Sequence, residues 1–184
     1  MTFTIHTYGD PVLREESIAV PAVTPDLRAF AAGMIETMRG EMGIGLAAQQ
    51  VGRRDALCVV ELPPEMDVDE EGERLHPDVT MPMVLINPVI HERSDRTHTR
   101  EEGCLSFPDI HANIERAWTI RVTYMDIEGQ SHDRSFHGML ARVIQHEVDH
   151  LNGVLFIDRM SHVKRLALKG RLRRLKEETE ARLT

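Results

Sequence analysis

The chain has 184 residues, 41% of them hydrophobic and 28% charged, a balance that supports a packed core and excludes global disorder. Its formal net charge of −8 gives no overall attraction to DNA or to an anionic membrane, so any such contact needs a local basic patch. Two cysteines, Cys58 and Cys104, are too few for a disulfide framework, and with no signal core or membrane-length apolar run the expectation is one cytoplasmic domain over residues 1–184.

Thr24-Pro25 is an N-cap followed by proline at the first helical position, and Leu27, Phe30, Met34, Ile35 and Met38 then recur at helical spacing as far as about Gly40. Gly43-Ile44-Gly45-Leu46-Ala47-Ala48-Gln49-Gln50 follows, a run of small residues where backbone can approach a ligand. Ala56 to Leu62 predicts a buried strand with Cys58 as a small core hydrophobe. Residues 61–82 are acidic and contain proline, which predicts a mobile, solvated surface loop. Met83 to Ile90 predicts a strand interrupted by Pro88.

Trp118, Ile120, Val122 and Tyr124 alternate with Thr119, Arg121 and Thr123, the pattern of a half-buried strand, and Glu128-Gly129 turns it into a second strand over Ser131–Phe136. Gly138 opens a helix through His146 and His150 that stops near Asn152-Gly153. A last, basic helix spans about 161–184. The expected fold is α+β: mostly antiparallel sheets packed around a central metal-binding helix, with an N-terminal helix and a C-terminal helix.

His146-Glu147-Val148-Asp149-His150 is the sharpest chemical signal. Positions i and i+4 share a helix face, so both imidazoles can reach one ion, and Glu147 lies where it can deprotonate a water. Two surface histidines are the plain alternative, but Val143, Ile144, Leu151 and Leu155 mark an interior helix, where unpaired polar groups are costly. A third ligand is needed. Downstream, Phe156 stands where a metzincin has its third histidine, and phenylalanine binds no metal. Upstream, Glu101-Glu102-Gly103-Cys104-Leu105-Ser106 offers Cys104 as a thiolate, and two histidines plus one thiolate leave a position open, as catalysis requires.

Together the Gly43–Gln50 run, Glu102–Ser106 and Gln145–Leu151 resemble the three signature motifs of peptide deformylases, in that family's order, and Asp10-Pro11-Val12-Leu13-Arg14 is similar to its N-terminal segment. The resemblance implies removal of the formyl group from N-formylmethionyl nascent peptides, releasing formate, by attack of metal-bound water with Glu147 as general base and then acid. It implies Fe2+ as the cellular metal, with Zn2+, Ni2+ or Co2+ able to replace it in purified protein. It further implies that the Gln50 amide and the Leu105 N–H stabilise the oxyanion. Ile44, Gly45 and Gly103 are expected to line the cleft, Val143 to border a methionine pocket and Arg116 to lie near the substrate backbone; for both Val143 and Arg116 a core or surface role stands equally beside these. A zinc peptidase and a degenerate, non-catalytic relative are the alternatives. From Arg159 to Lys176 the chain carries eight basic residues and no acidic one, which reads either as a solvated helix or as a ribosome contact.

Overall fold

A computed structural model describes residues 1–183. Helix α1, Pro25–Gly40, starts where the sequence places it: Thr24 Oγ1 accepts from the Leu27 N–H at 3.1 Å. Five antiparallel strands follow in the order β1 (Gly45–Ala47), β2 (Leu57–Val60), β3 (Met83–Arg93), β6 (Thr119–Met125) and β7 (Ser131–His137). A separate antiparallel pair joins β4 (Thr97–Glu102) to β5 (Ala112–Ala117). Helix α2 is Gly138–Leu151, and α3 is His162–Leu183; residue 184 of the expected terminal helix lies outside the described residues.

The five-stranded sheet has an apolar layer on each face. Leu57 and Val59 of β2 face α1 through Leu27, Phe30, Met34 and Met38, while Cys58 and Val60 face α2 through Leu140, Val143, Ile144 and Val148. A strand covered on both faces reads as an unbroken apolar run, as 56–62 does. A third apolar cluster holds Leu172, Leu168 and Leu175 of α3 against Leu13, Phe107, Ile114 and Phe156.

Pro88 does not end its strand. It sits where the β3–β6 register shifts between Ile86 and Val89, and Asn87 there exchanges two 2.8 Å hydrogen bonds with the Val20 backbone. The acidic loop departs more sharply from expectation. Residues 61–82 include a turn at Pro64–Met66 and a bridge between Val68 and Arg74, and Asp67 and His76 are 2% and 4% exposed. A buried hydrogen-bonded pair orders what composition alone would leave solvated.

Candidate metal centre

Cys104 follows β4 in a tight turn, and α2 presents His146 and His150 one turn apart. Cys104 Sγ lies 3.3 Å from His150 Nε2, and one donor atom from each of the three residues lies within 4.8 Å of the others. Ligand bonds of about 2.0–2.3 Å to a single ion readily bridge the 3.3 Å between the Cys104 and His150 donor atoms. A cleft of about 690 Å³ opens beside it, lined by Ile44, Gly45, Gln50, Gly103, Leu105, Val143 and Glu147 among others.

The residues fit a cation on three counts. His146 Nδ1 donates to Glu102 Oε2 at 3.0 Å, which leaves Nε2 with its lone pair for a metal. Burial opposes a charged His146, yet its hydrogen bonds with Cys104 and Glu102 outweigh that and raise its pKa, so this spot favours positive charge, and a metal ion would take the place of the second ring proton on Nε2. Burial, reinforced by the charge of His146, holds His150 well below its usual value and therefore neutral, as a ligand must be. Among the described residues, Glu147 Oε2 and His150 Nδ1 are buried polar atoms with no protein partner. Burial pushes the Glu147 carboxyl up to about 7, with His146 opposing and the charge of Glu102 adding.

Glu102 is the hub. Arg116 donates to it through Nε at 2.9 Å and Nη2 at 3.0 Å, and Arg142 through Nη1 at 2.5 Å. Burial would raise its pKa, but the bonds from His146 and Arg116 hold the carboxyl well below the usual range. Arg116 continues to Asp149 at 2.5 Å and lines a second cavity of about 460 Å³ with Gln145, Asp149 and Arg159. It does not line the cleft, so the expected contact with a substrate backbone gives way to a role as a buried brace.

Gln50 is aimed by its neighbours. Its Oε1 accepts from the Ala47 N–H at 2.9 Å, so Nε2 must turn toward Ser106 Oγ at 3.2 Å and Cys104 Sγ at 3.4 Å. Gln49 points elsewhere, its Nε2 donating to the Leu151 carbonyl at 3.3 Å. The N–H of Leu105 has no protein acceptor among the described residues. The N-terminal segment straps both loops together: the His6 N–H donates to the Gln50 carbonyl at 2.8 Å and the Tyr8 N–H to the Ser106 carbonyl at 2.9 Å.

Gly45 is required by space, because a Cβ there would lie 2.2 Å from Glu147 Oε1. Its strand, β1, is the edge of the five-stranded sheet. The Ile44 carbonyl faces β2, accepting from the Glu61 N–H at 3.0 Å, and the Ala47 N–H turns away to Gln50. Alternation along the strand therefore leaves the N–H and C=O of Gly45 on the open edge. Phe156 is 1% exposed with its ring 6.2 Å from that of His146, an apolar wall where a metzincin has its third histidine.

A family model described as Polypeptide deformylase matches residues 2–166. The chain belongs to the polypeptide deformylase family. Among curated relatives of this deformylase, the peptide deformylase of Opitutus terrae is 45% identical over 98% of this chain and 96% of its own length. That of Salinibacter ruber is 45% identical over 95% of this chain and 89% of its own. Among solved structures, the peptide deformylase of Ehrlichia chaffeensis superposes with a TM-score of 0.84 at 36% identity, covering 98% of this chain and 99% of that one. A Synechococcus elongatus peptide deformylase in complex with actinonin gives 0.79 at 38% identity, covering 94% and 85%. The mixed α+β fold with antiparallel sheets is common to them.

The motifs named the cleft residues but missed the residues that brace them. Glu102, Ser106, Arg142 and Asp149 were visible only as polar residues within or beside motifs; a carboxylate two residues before the cysteine and another between the helix histidines were the available signals.

Proposed function

We propose that this deformylase removes the formyl group from the N-terminal formylmethionine of newly made polypeptides, releasing formate, with Cys104, His146 and His150 holding one divalent ion, Fe2+ in the cell. The observation that carries the reading is the juxtaposition of that donor triangle with the buried, unpartnered Glu147 oxygen at an open cleft. When bound, the ion supplies Lewis acidity, lowering the pKa of water and polarising a carbonyl.

Glu147 takes the proton from the attacking water and delivers it to the departing amine nitrogen; a carboxyl raised to about 7 suits both halves of that exchange near neutral pH. Gln50 Nε2 and the Leu105 N–H donate to the formyl oxygen as it gains charge. An extended peptide pairs with the free edge at Gly45, alongside Ile44 on one side and Gly103 on the other. Val143, one turn before Glu147 on α2, borders the pocket for the methionine side chain.

The basic helix supports a ribosome contact, although fewer of its charges are free than the sequence implied. Arg159 pairs with Asp149 at 2.6 Å, Arg165 with Asp158 at 3.5 Å, and Arg171 donates to the Asp109 carbonyl at 2.7 Å. Lys169, Arg173, Arg174 and Lys176 remain exposed on α3. No helix among the described residues is long and apolar enough to cross a membrane, in keeping with action in the cytoplasm.

Formate release from formyl-Met peptides, measured with metal content on the same sample, tests the reading. Loss of that activity with actinonin, the ligand of the Synechococcus relative, is expected. Cleavage of unformylated peptides at internal bonds would favour the peptidase alternative.

A further inference from the structure

One wall of the cleft comes from outside the three motifs. The turn Pro64–Met66 brings Met66, 37% exposed, into the lining of the cleft that Met139 and Val143 also line. Glu147, Val143 and Met139 are spaced by four along α2 and share a face, so the lining runs from the carboxylate toward the start of the helix for about 12 Å.

The loop is fastened at that same end of the helix. Leu75 fills the space over Gly138, where a Cβ would lie 2.8 Å from its Cδ1. The His137 N–H, just before α2, donates to His76 Nε2 at 3.1 Å. The opposite ring nitrogen, Nδ1, lies 2.6 Å from Asp67 Oδ1, and Asp67 Oδ2 takes the His76 N–H at 3.1 Å. Asp67 is the chain neighbour of Met66, so a continuous hydrogen-bonded strut connects His137, the residue before α2, to the cleft wall.

We propose that Met66 closes the far end of the apolar pocket that receives the side chain of the formylated residue, and that Asp67 and His76 hold it there. This rests on the deformylase reading. The pocket then starts at Val143, passes Met139 and stops at a flexible thioether that moulds to an unbranched side chain and limits what is longer or wider. Apolar pockets discriminate by volume only modestly, by about 10–200-fold for one methylene, so a missing wall registers as a shift in preference rather than a loss of activity.

The test compares kcat/KM on two formyl-tripeptides that differ only in a first residue of methionine or phenylalanine. In Met66→Ala the ratio should move about tenfold toward phenylalanine, chiefly through KM. His76→Leu, which removes the acceptor for the His137 N–H, should move it in the same direction, and His76→Gln, which restores an acceptor, should bring it back. A folded, active Met66→Ala protein with the wild-type ratio overturns the proposal and leaves the deformylase reading standing. A wild-type protein that releases no formate from either peptide overturns both.

Discussion

Glu102 Oε2 and His146 Nδ1 are 3.0 Å apart, and the carboxylate that makes this bond is itself gripped by two buried arginines, Arg116 and Arg142. The tautomer and tilt of a candidate metal ligand are therefore set by a carboxylate and two arginines, of which Glu102 and Arg142 also line the cleft and Arg116 does not.

Glu102→Ala should lower metal affinity by about 10–100-fold, the usual cost of losing such a partner. It should also destabilise the fold by about 3–5 kcal/mol, because Arg116 and Arg142 lose their shared counter-charge in the interior. Chelator competition reads the first effect and denaturant unfolding the second. Unchanged affinity would detach the arginine pair from the metal site.

Glu147→Gln keeps the shape of the side chain and removes its proton chemistry. The expected outcome is full metal occupancy with turnover down by about 10²–10⁴-fold. Near-normal formate release from fully loaded mutant would falsify the assignment of Glu147.

Removing the metal should lower the thermal transition, since an ion that binds only the folded state stabilises it by about 2.7 kcal/mol at 100 times its Kd. Titrating Zn2+ or Ni2+ into chelated protein should raise the transition with concentration. In Cys104→Ala that response should shift to higher metal concentration.

Burial, with Arg142 and Arg100 adding, lowers His98 to about 4, and its Nε2 accepts from Arg142 Nε at 3.1 Å. Between about 4 and the usual histidine value the unfolded chain binds the proton that the folded one refuses, so stability is lost as pH falls through that window. Glu147, raised to about 7, pulls in the opposite direction over part of the same range. The difference between wild type and His98→Asn isolates the histidine: the variant should lose less stability between pH 6.5 and 4. Parallel stability curves would contradict a neutral His98.

Reversing Lys169, Arg173 and Lys176 to glutamate should spare turnover of short formyl-Met peptides and weaken ribosome co-sedimentation at low salt. Arg173 and Lys176 sit 3.7 and 3.6 Å from Glu177 and Glu180, so the reversal also creates repulsion along the helix, and circular dichroism must show α3 intact. Undiminished binding by a helical mutant returns α3 to a solvated surface.

Elements whose signals are local were legible in the sequence. The Thr24 cap, the alternation around Val122 and the histidine pair on α2 each carry their meaning within a few residues. The β4–β5 pair escaped notice because Thr97–Glu102 has no apolar face to alternate; before Glu102 only His98 is even half-buried. The choice between a substrate contact and a core role for Arg116 stayed open because its partners, Glu102 and Asp149, lie 14 and 33 residues away and meet only in the fold. The acidic residues Glu70, Glu71 and Glu73 of the 61–82 loop are exposed as their composition suggests. Its anchoring was hidden for the same reason as the role of Arg116: it depends on His76 reaching the N–H of His137, 61 residues on.

The open edge of β1 is only three residues long, ending at once in the turn that carries Gln50. Such an edge has room for the first residues of a visiting chain and no more. On the proposed function it is a receptor for chain ends, reading main-chain atoms that every protein shares, while it remains too short to template a growing sheet. On that reading, one feature would account both for tolerance of many nascent sequences and for resistance to edge-to-edge aggregation.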